Sequence, residues 1–344
     1  MQQGQPAMDN QPLAFYEYLD QIVNLELKAK RALQGATQIR YAAARKLCGR
    51  PLSRIAADLI LRLSPSSLIF ISTGAGNPAT LPKGETDGPS GVAFLTSVLN
   101  ALGYPVCIVS ENHFLPAIMA SLTAMNIPIA KNSPGPRDPI GAFASPFPLG
   151  PDTADEHVRK LLDQHPKASA AIFIEKPGPN AAGVFHTSGG KPKQSTTVGH
   201  VHRLAEIGRE RGLLTIAVGD GGNEIGFGRI RAEIAEAHPL GQDCGCPCHL
   251  GILNGTEVDC LFPAAVSNWG AYAIATAITI AARQTELLPK KEAVGKTVHA
   301  SLAEGANDGY SGLNVPLVDG TSLEANEAVY QLCLEVARLS LVVE

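Results

Sequence analysis

The chain has 344 residues, 45% of them hydrophobic and 17% charged, which is enough apolar content for a sizeable buried core. Its formal net charge of -4 argues against a general nucleic-acid binder, which carries a basic surface. No uncharged apolar run reaches the roughly 18 residues of a membrane span, and seven cysteines, an odd number spread along a long chain, argue for a reducing compartment over a disulfide scaffold.

Residues 1–12 are polar and read as a disordered N-terminus without a secretory or transit signal. Residues 13–344 read as one α/β domain. Tyr18, Ile22 and Leu25, then Ile55, Leu59 and Leu63, recur at helical spacing, so helices are expected between residues 15 and 63. The first strand is Leu68 to Ser72, followed by a Gly/Pro-rich loop to Pro89 and a helix over 90–102 that Gly103 closes. A strand at 106–109, a helix near 113–125 and a short strand at 127–129 come next. Residues 131–152 hold many prolines and glycines and read as a loop-rich insertion on the surface. Then follow a helix at 154–164, a strand at 170–174, a loop to Thr196, a helix at 198–211 closed by Gly212, and a strand at 213–218. The run from Ala271 to Ala282 is too short for a membrane span and reads as a buried helix. Apolar strands alternating with helices specify a mostly parallel or mixed sheet with helices on both faces.

In such sheets ligands bind beyond the carboxyl ends of the strands. Three strands here end in polar residues: Ser72-Thr73-Gly74, Glu175-Lys176-Pro177-Gly178, and Gly219-Asp220-Gly221-Gly222-Asn223-Glu224. Glycines let backbone approach a ligand closely, Asp220 and Glu224 can hold a divalent metal or move protons, and Asn223 offers a donor and an acceptor. Asp220 can equally cap a helix. Glu85 and Asp87, in the loop Gly84 to Pro89, form a pair suited to a hard cation, although Asp87 can also serve the helix that follows. Lys176 is a point charge for a substrate carboxylate, or else one half of an ion pair. Ser267 and Asn268 precede the buried helix as ligand contacts or caps, and Trp269 as core. Asn307-Asp308-Gly309 and Asp319-Gly320 read as turns. Cys244-Gly245-Cys246-Pro247-Cys248-His249 would satisfy zinc chemically, but alternate residues seldom converge, so an unligated loop is expected there. Cys107 and Cys260 read as buried structural residues. No Gly-x-Gly-x-x-Gly register fits a dinucleotide, and no phosphate loop or nucleophile elbow is present.

Glu85-Thr86-Asp87-Gly88-Pro89, Ile174-Glu175-Lys176-Pro177-Gly178, Gly219-Asp220-Gly221-Gly222-Asn223-Glu224-Ile225-Gly226 and Ser267-Asn268-Trp269-Gly270 together resemble the D-glutamate cyclase family, over roughly residues 50–340. The resemblance implies conversion of D-glutamate to 5-oxo-D-proline and water, assisted by a divalent cation, Mn²⁺ or Mg²⁺. The mammalian relatives look mitochondrial and carry a further N-terminal domain, so this chain resembles a stand-alone form. Lys176 stands where the family pattern has Arg, and Phe227 where it has Met.

The expected site follows. Glu85, Asp87, Asp220 and Glu224 would hold the metal, with these and Glu175 as the catalytic carboxylates. Thr73, Gly74, Lys176, Gly221, Gly222, Asn223, Ser267 and Asn268 would bind substrate. The expected partner is a small acidic amino acid, with no nucleic acid and no membrane, and a homo-oligomer is left open. A cytoplasmic location is expected, with the mitochondrial matrix as the alternative in a eukaryote. Two competing readings are a metal-dependent phosphatase or other hydrolase and a non-catalytic small-molecule sensor.

Overall fold

In the computed structural model, residues 12–28, 35–132 and 139–342 are described. The expected disorder of 1–12 lies, up to residue 11, outside them. Six parallel strands form the central sheet: β1 (Leu68–Ser72), β2 (Val106–Glu111), β3 (Ala142–Phe147), β4 (Ala168–Ile174), β5 (Leu214–Gly219) and β6 (Cys260–Pro263), in the order β3-β2-β1-β4-β5-β6. A hairpin, β7 (Leu317–Val318) and β8 (Thr321–Ser322), stands apart. β1, β2, β5 and β6 are buried over almost their whole length, as apolar strands covered on both faces must be.

Three helices precede the sheet: α1 (Leu13–Val23), α2 (Ala36–Cys48) and α3 (Leu52–Leu61). The crossovers are α4 (Pro89–Ala101), α5 (Leu115–Ala124), α6 (Ala154–Gln164) and α7 (His202–Glu210). Gly103 and Gly212 take positive φ just beyond α4 and α7, ending each helix where the sequence places its stop. After the short α8 (Arg231–Ile234) come α9 (Ser267–Ala282), α10 (Ala293–Ala303) and α11 (Leu323–Ser340). Right-handed crossovers put α4 and α5 on one face of the sheet and α6 and α7 on the other. α9 packs against α3 and α4 and is buried from Ser267 to Ile280, with α11 packed on it and α10 on α4 and α5. Trp269 is core, its Nε1 donating to Asn326 Oδ1 at 2.7 Å. Cys107 and Cys260 are fully buried within strands. No described helix is long and apolar enough to cross a membrane.

Three places in the sheet differ from the sequence expectation. The stretch 131–152, read as a surface excursion, contains β3 (133–138 lie outside the described residues). β3 is an edge strand, and an edge tolerates Pro146 and the flanking glycines because one side of its backbone is unpaired. The short strand expected at 127–129 reduces to a single bridge, Ile129 to Ala142, that prolongs this edge. β6 has four residues, too few for a periodic pattern to reveal.

Candidate functional site at the strand ends

The order in which strands are added reverses between β1 and β4, and the loops leaving β1, β4 and β5 meet there. This is the switch point at which open parallel sheets bind ligands. A cavity of about 340 Å³ opens at this place, lined by Glu85, Asp87, Glu175, Asp220, Gly221, Asn223 and Glu224 among the sequence candidates.

Asp87, Glu175 and Asp220 are all buried, and one oxygen from each lies within 4.8 Å of the others. They come from the loop before α4, the end of β4 and the end of β5. Glu175 takes a left-handed conformation (φ 48°), which turns its side chain off the strand, and its Oε2 accepts from Ser267 Oγ at 2.6 Å. Burial, reinforced by Asp220 and Glu224, pushes the Glu175 carboxyl well above its usual range. Burial likewise raises Asp220, with Lys28 opposing and Asp319 adding to the rise. Burial holds Asp87 up to about 7, against the lowering effect of Lys28. Glu85 is raised by burial, then by Asp319 and Asp87. Its Oε2 occupies the space a side chain on residue 309 would need, so Gly309 makes room for it.

Asp87 and Asn268 have a second task. The Asp87 carboxylate accepts from Ser267 N at 2.9 Å and Asn268 N at 2.7 Å, capping α9. Asn268 Oδ1 accepts from Gly88 N at 2.9 Å and Gly91 N at 2.7 Å, capping α4. Two helices distant in sequence thus exchange caps, which satisfies N–H groups that would otherwise be orphaned in the core. Asp87 therefore serves the N-terminus of α9 as well as the entry of the helix that follows it, where its Oδ1 also accepts from Gly88 N at 3.0 Å, and Asn268 faces helix ends instead of the cavity.

Other candidates also separate. The amides of Gly221 and Gly222 donate to Glu224 at 3.1 and 2.7 Å, so the anion held by this glycine turn is the chain's own carboxylate. Lys176 is buried, donates to Gly74 O at 2.9 Å, pairs with Glu111 and lies 5.5 Å from the centre of the Phe114 ring. Burial lowers its pKa, with Glu111 opposing. Gly74 and Lys176 face an adjoining cavity that shares Gly76, Pro177, Thr187, Ser188 and Lys193 with the acidic one. Thr73, Gly222, Ser267 and Asn268 line neither. Asn223 does line the acidic cavity, and its Oδ1 is buried without a protein partner among the described residues.

The cationic side of the cavity was not legible in the motifs. Lys28, just after α1, pairs with both Asp220 and Asp319. Arg40, buried on α2, and Lys193, whose Nζ donates to Gly76 O at 2.9 Å, complete the charged wall. Burial lowers the pKa of Lys193, with Glu85 pulling it back up. Asp319, read as a turn residue, has positive φ as a turn residue would, yet it also lines the cavity. Nothing near Lys28, Arg40 or Lys193 in sequence marks them; only the fold brings them to the strand ends.

The three buried carboxylates are hard oxygen donors, and their mutual repulsion would be relieved by a divalent cation, so the residues fit such an ion. The thiols of Cys244, Cys246 and Cys248 do converge, contrary to the expectation for their spacing, and the imidazole that joins them is His186, not His249. Gly245, at φ +70°, provides the turn that alternate residues need, while His249 is exposed beside Asp243.

Fold and site together define a doubly wound parallel α/β domain with a buried, two-signed ligand cavity at its switch point. Residues 33–332 match the family model described as D-glutamate cyclase-like, C-terminal. The chain belongs to that family. It is 27% identical over 230 residues to the mitochondrial D-glutamate cyclase of Homo sapiens; the match takes in 64% of this chain and 34% of that protein.

Proposed function

We propose that this chain converts D-glutamate to 5-oxo-D-proline and water at the cavity between the ends of β1, β4 and β5. The observation that carries the reading is the charge arrangement of that cavity: the close carboxylates Asp87, Glu175 and Asp220 on one side, Lys28, Arg40 and Lys193 around them. A dicarboxylic amino acid presents one ammonium and two carboxylates, and needs both signs. Lys28 already demonstrates an ammonium position between Asp220 and Asp319. Family membership and the human relative support the substrate class. The density of carboxylates disfavours a phosphate ester.

Ring closure forms a bond from the α-nitrogen to the side-chain carboxyl carbon and breaks a C–O bond. Two protons leave the nitrogen, and both depart with that oxygen as water. Carboxyls whose pKa is raised by burial suit such a transfer, because a raised carboxyl is a stronger base and holds the proton it takes up until it can be passed on. We assign proton transfer to Glu175 and Asp220. Ser267 fixes the Glu175 carboxyl by its hydrogen bond, and Asp87, anchored by two backbone amides, keeps its place in the cluster. Lys193 is the cation best placed to hold a substrate carboxylate, since it lines both cavities and, among the described residues, its ammonium donates to a backbone oxygen and to no carboxylate. Asp87, Glu175 and Asp220 would hold a divalent cation, Mg²⁺ or Mn²⁺, which when bound would keep these carboxylates ionised and supply Lewis acidity at the side-chain carboxylate in place of their proton transfer. Folding the substrate so that amine meets carboxyl contributes by orientation.

The test is NMR of the chelator-treated protein with D-glutamate and then L-glutamate, with and without each cation. Formation of 5-oxoproline from the D form is the expected result. Intact, folded protein that yields no product under any of these conditions would overturn the assignment.

A further inference from the structure

No helix or strand lies between Ile234 and Cys260, a span of some length for a compact domain. It rejoins the main core only at Leu253 and Val258, and before them its apolar packing is slight: Cys244, Cys246 and Ile252 form a small separate cluster, flanked by Leu240 and Cys248. So little buried area is a weak reason for a loop this long to hold one conformation. The same loop brings three sulfurs together. Cys244 Sγ lies 3.0 Å from Cys246 Sγ and 3.4 Å from Cys248 Sγ, and the last two are 3.3 Å apart. His186 arrives from the loop after β4, its Nε2 3.4 Å from Cys246 Sγ and 4.0 Å from Cys248 Sγ, and its side chain is buried.

We propose that His186, Cys244, Cys246 and Cys248 bind one zinc ion that fastens the loop after β4 to the loop before β6. Three thiolates and an imidazole complete a closed tetrahedral shell, the usual form of a structural zinc site. With Zn–S bonds of about 2.3 Å, the sulfurs of such a shell are separated by roughly 3.7 Å, so the edges of the thiol triangle need to open by between about 0.3 and 0.8 Å. Soft thiolate ligands favour zinc over the hard cations suited to the carboxylate cluster. Asn180 supports the shell: its Nδ2 lies 3.3 Å from Cys248 Sγ and donates to Gly251 O at 2.7 Å. The tie has a consequence for the strand-end cavity. Thr187 and Ser188, which follow His186 directly, line it, and His186 O accepts from Asn223 Nδ2 at 3.4 Å. Zinc would therefore hold one wall of the cavity in place without touching the reacting atoms. The proposal is independent of the cyclase reading.

The experiment uses the untagged wild-type chain, purified without chelator and analysed by elemental mass spectrometry. About one zinc per chain is expected, retained by D220N and lost from C246S and H186A. Since those variants can fail to fold, the wild-type chain is also stripped and titrated with Co²⁺. Intense sulfur-to-cobalt charge transfer together with the visible bands of tetrahedral cobalt is expected. Folded wild-type protein that takes up neither zinc nor cobalt with this spectrum overturns the proposal. So does a purified chain that carries iron at these ligands, or one whose cysteines are joined as a disulfide.

Discussion

The carboxylates at the strand ends and the thiols of the 244–248 loop are both clusters of ligand atoms, and they are assembled in opposite ways. Asp87, Glu175 and Asp220 come from three separate elements whose relative positions are set by the parallel sheet and by the exchanged caps of α4 and α9. Cys244, Cys246 and Cys248 come from one tight turn, with only His186 supplied from elsewhere. The first cluster is therefore as rigid as the core beneath it. The second depends on its own ligand chemistry for rigidity, since a cluster as small as Cys244, Cys246 and Ile252 cannot supply it. Acids placed by a scaffold can be asked to change protonation state, whereas thiols in a loop are better suited to hold the loop.

Several measurements would break or sharpen that contrast. The largest effect is expected from D220N, which removes a carboxylate of the reacting cluster. Turnover of D-glutamate should fall by about 10²–10⁴-fold, the usual cost of losing a positioned proton-transfer group, with circular dichroism and bound zinc unchanged. Unaltered turnover would place the chemistry away from the strand ends. Next is N268A, which deletes the cap of α4, leaving the buried amide of Gly91 without its partner and that of Gly88 with Asp87 alone. A loss of about 2 kcal/mol in urea unfolding is expected. A loss near zero would show that the exchanged caps do not anchor the acidic cluster.

The pH dependence comes third. Asp87 is raised by burial to about 7, above an unfolded value near 4, so the folded state binds more protons between those limits. The stability this group contributes is complete below about 4 and is lost as pH rises through about 7. Buried His202 and His238, lowered by burial to about 3 and about 4, titrate in the opposite sense, so the informative quantity is wild type against D87N. Wild type should lose stability relative to D87N on going from pH 5 to 7, by up to about 1.4 kcal/mol per pH unit. A saturating divalent cation should flatten that slope, and a difference that stays level from pH 5 to 7 in its absence would show that Asp87 is ionised throughout. The smallest effect is expected from K193M, a rise in KM of about tenfold with a lesser change in kcat, as for a group that binds substrate and transition state alike. An unchanged KM would move the carboxylate contact to Arg40 or Lys28.

Much of the scaffold was legible in the chain. Apolar runs, their alternation with helical periods and the glycine stops give β1, β2, β4, β5 and the helices between them, because those signals are local. β3 and β6 escaped, the one because an edge strand admits proline and glycine, the other because four residues carry no period. At the site, unusual polar strings after strands marked Glu85, Asp87, Glu175, Asp220 and Asn223, all of which line the cavity. The same strings also carried Asn268 and Lys176, whose partners turn out to be helix ends and Glu111.

What the sequence determined by itself was therefore the class of sheet, the family, and the acids at its strand ends, each written in contiguous residues. Only the tertiary structure decided which acids meet, that Lys28, Arg40, Lys193 and Asp319 join them, and that His186 rather than His249 faces the thiols. Those are juxtapositions of residues far apart in the chain. They are fixed by sheet order and loop packing, and no local pattern of residue types encodes them.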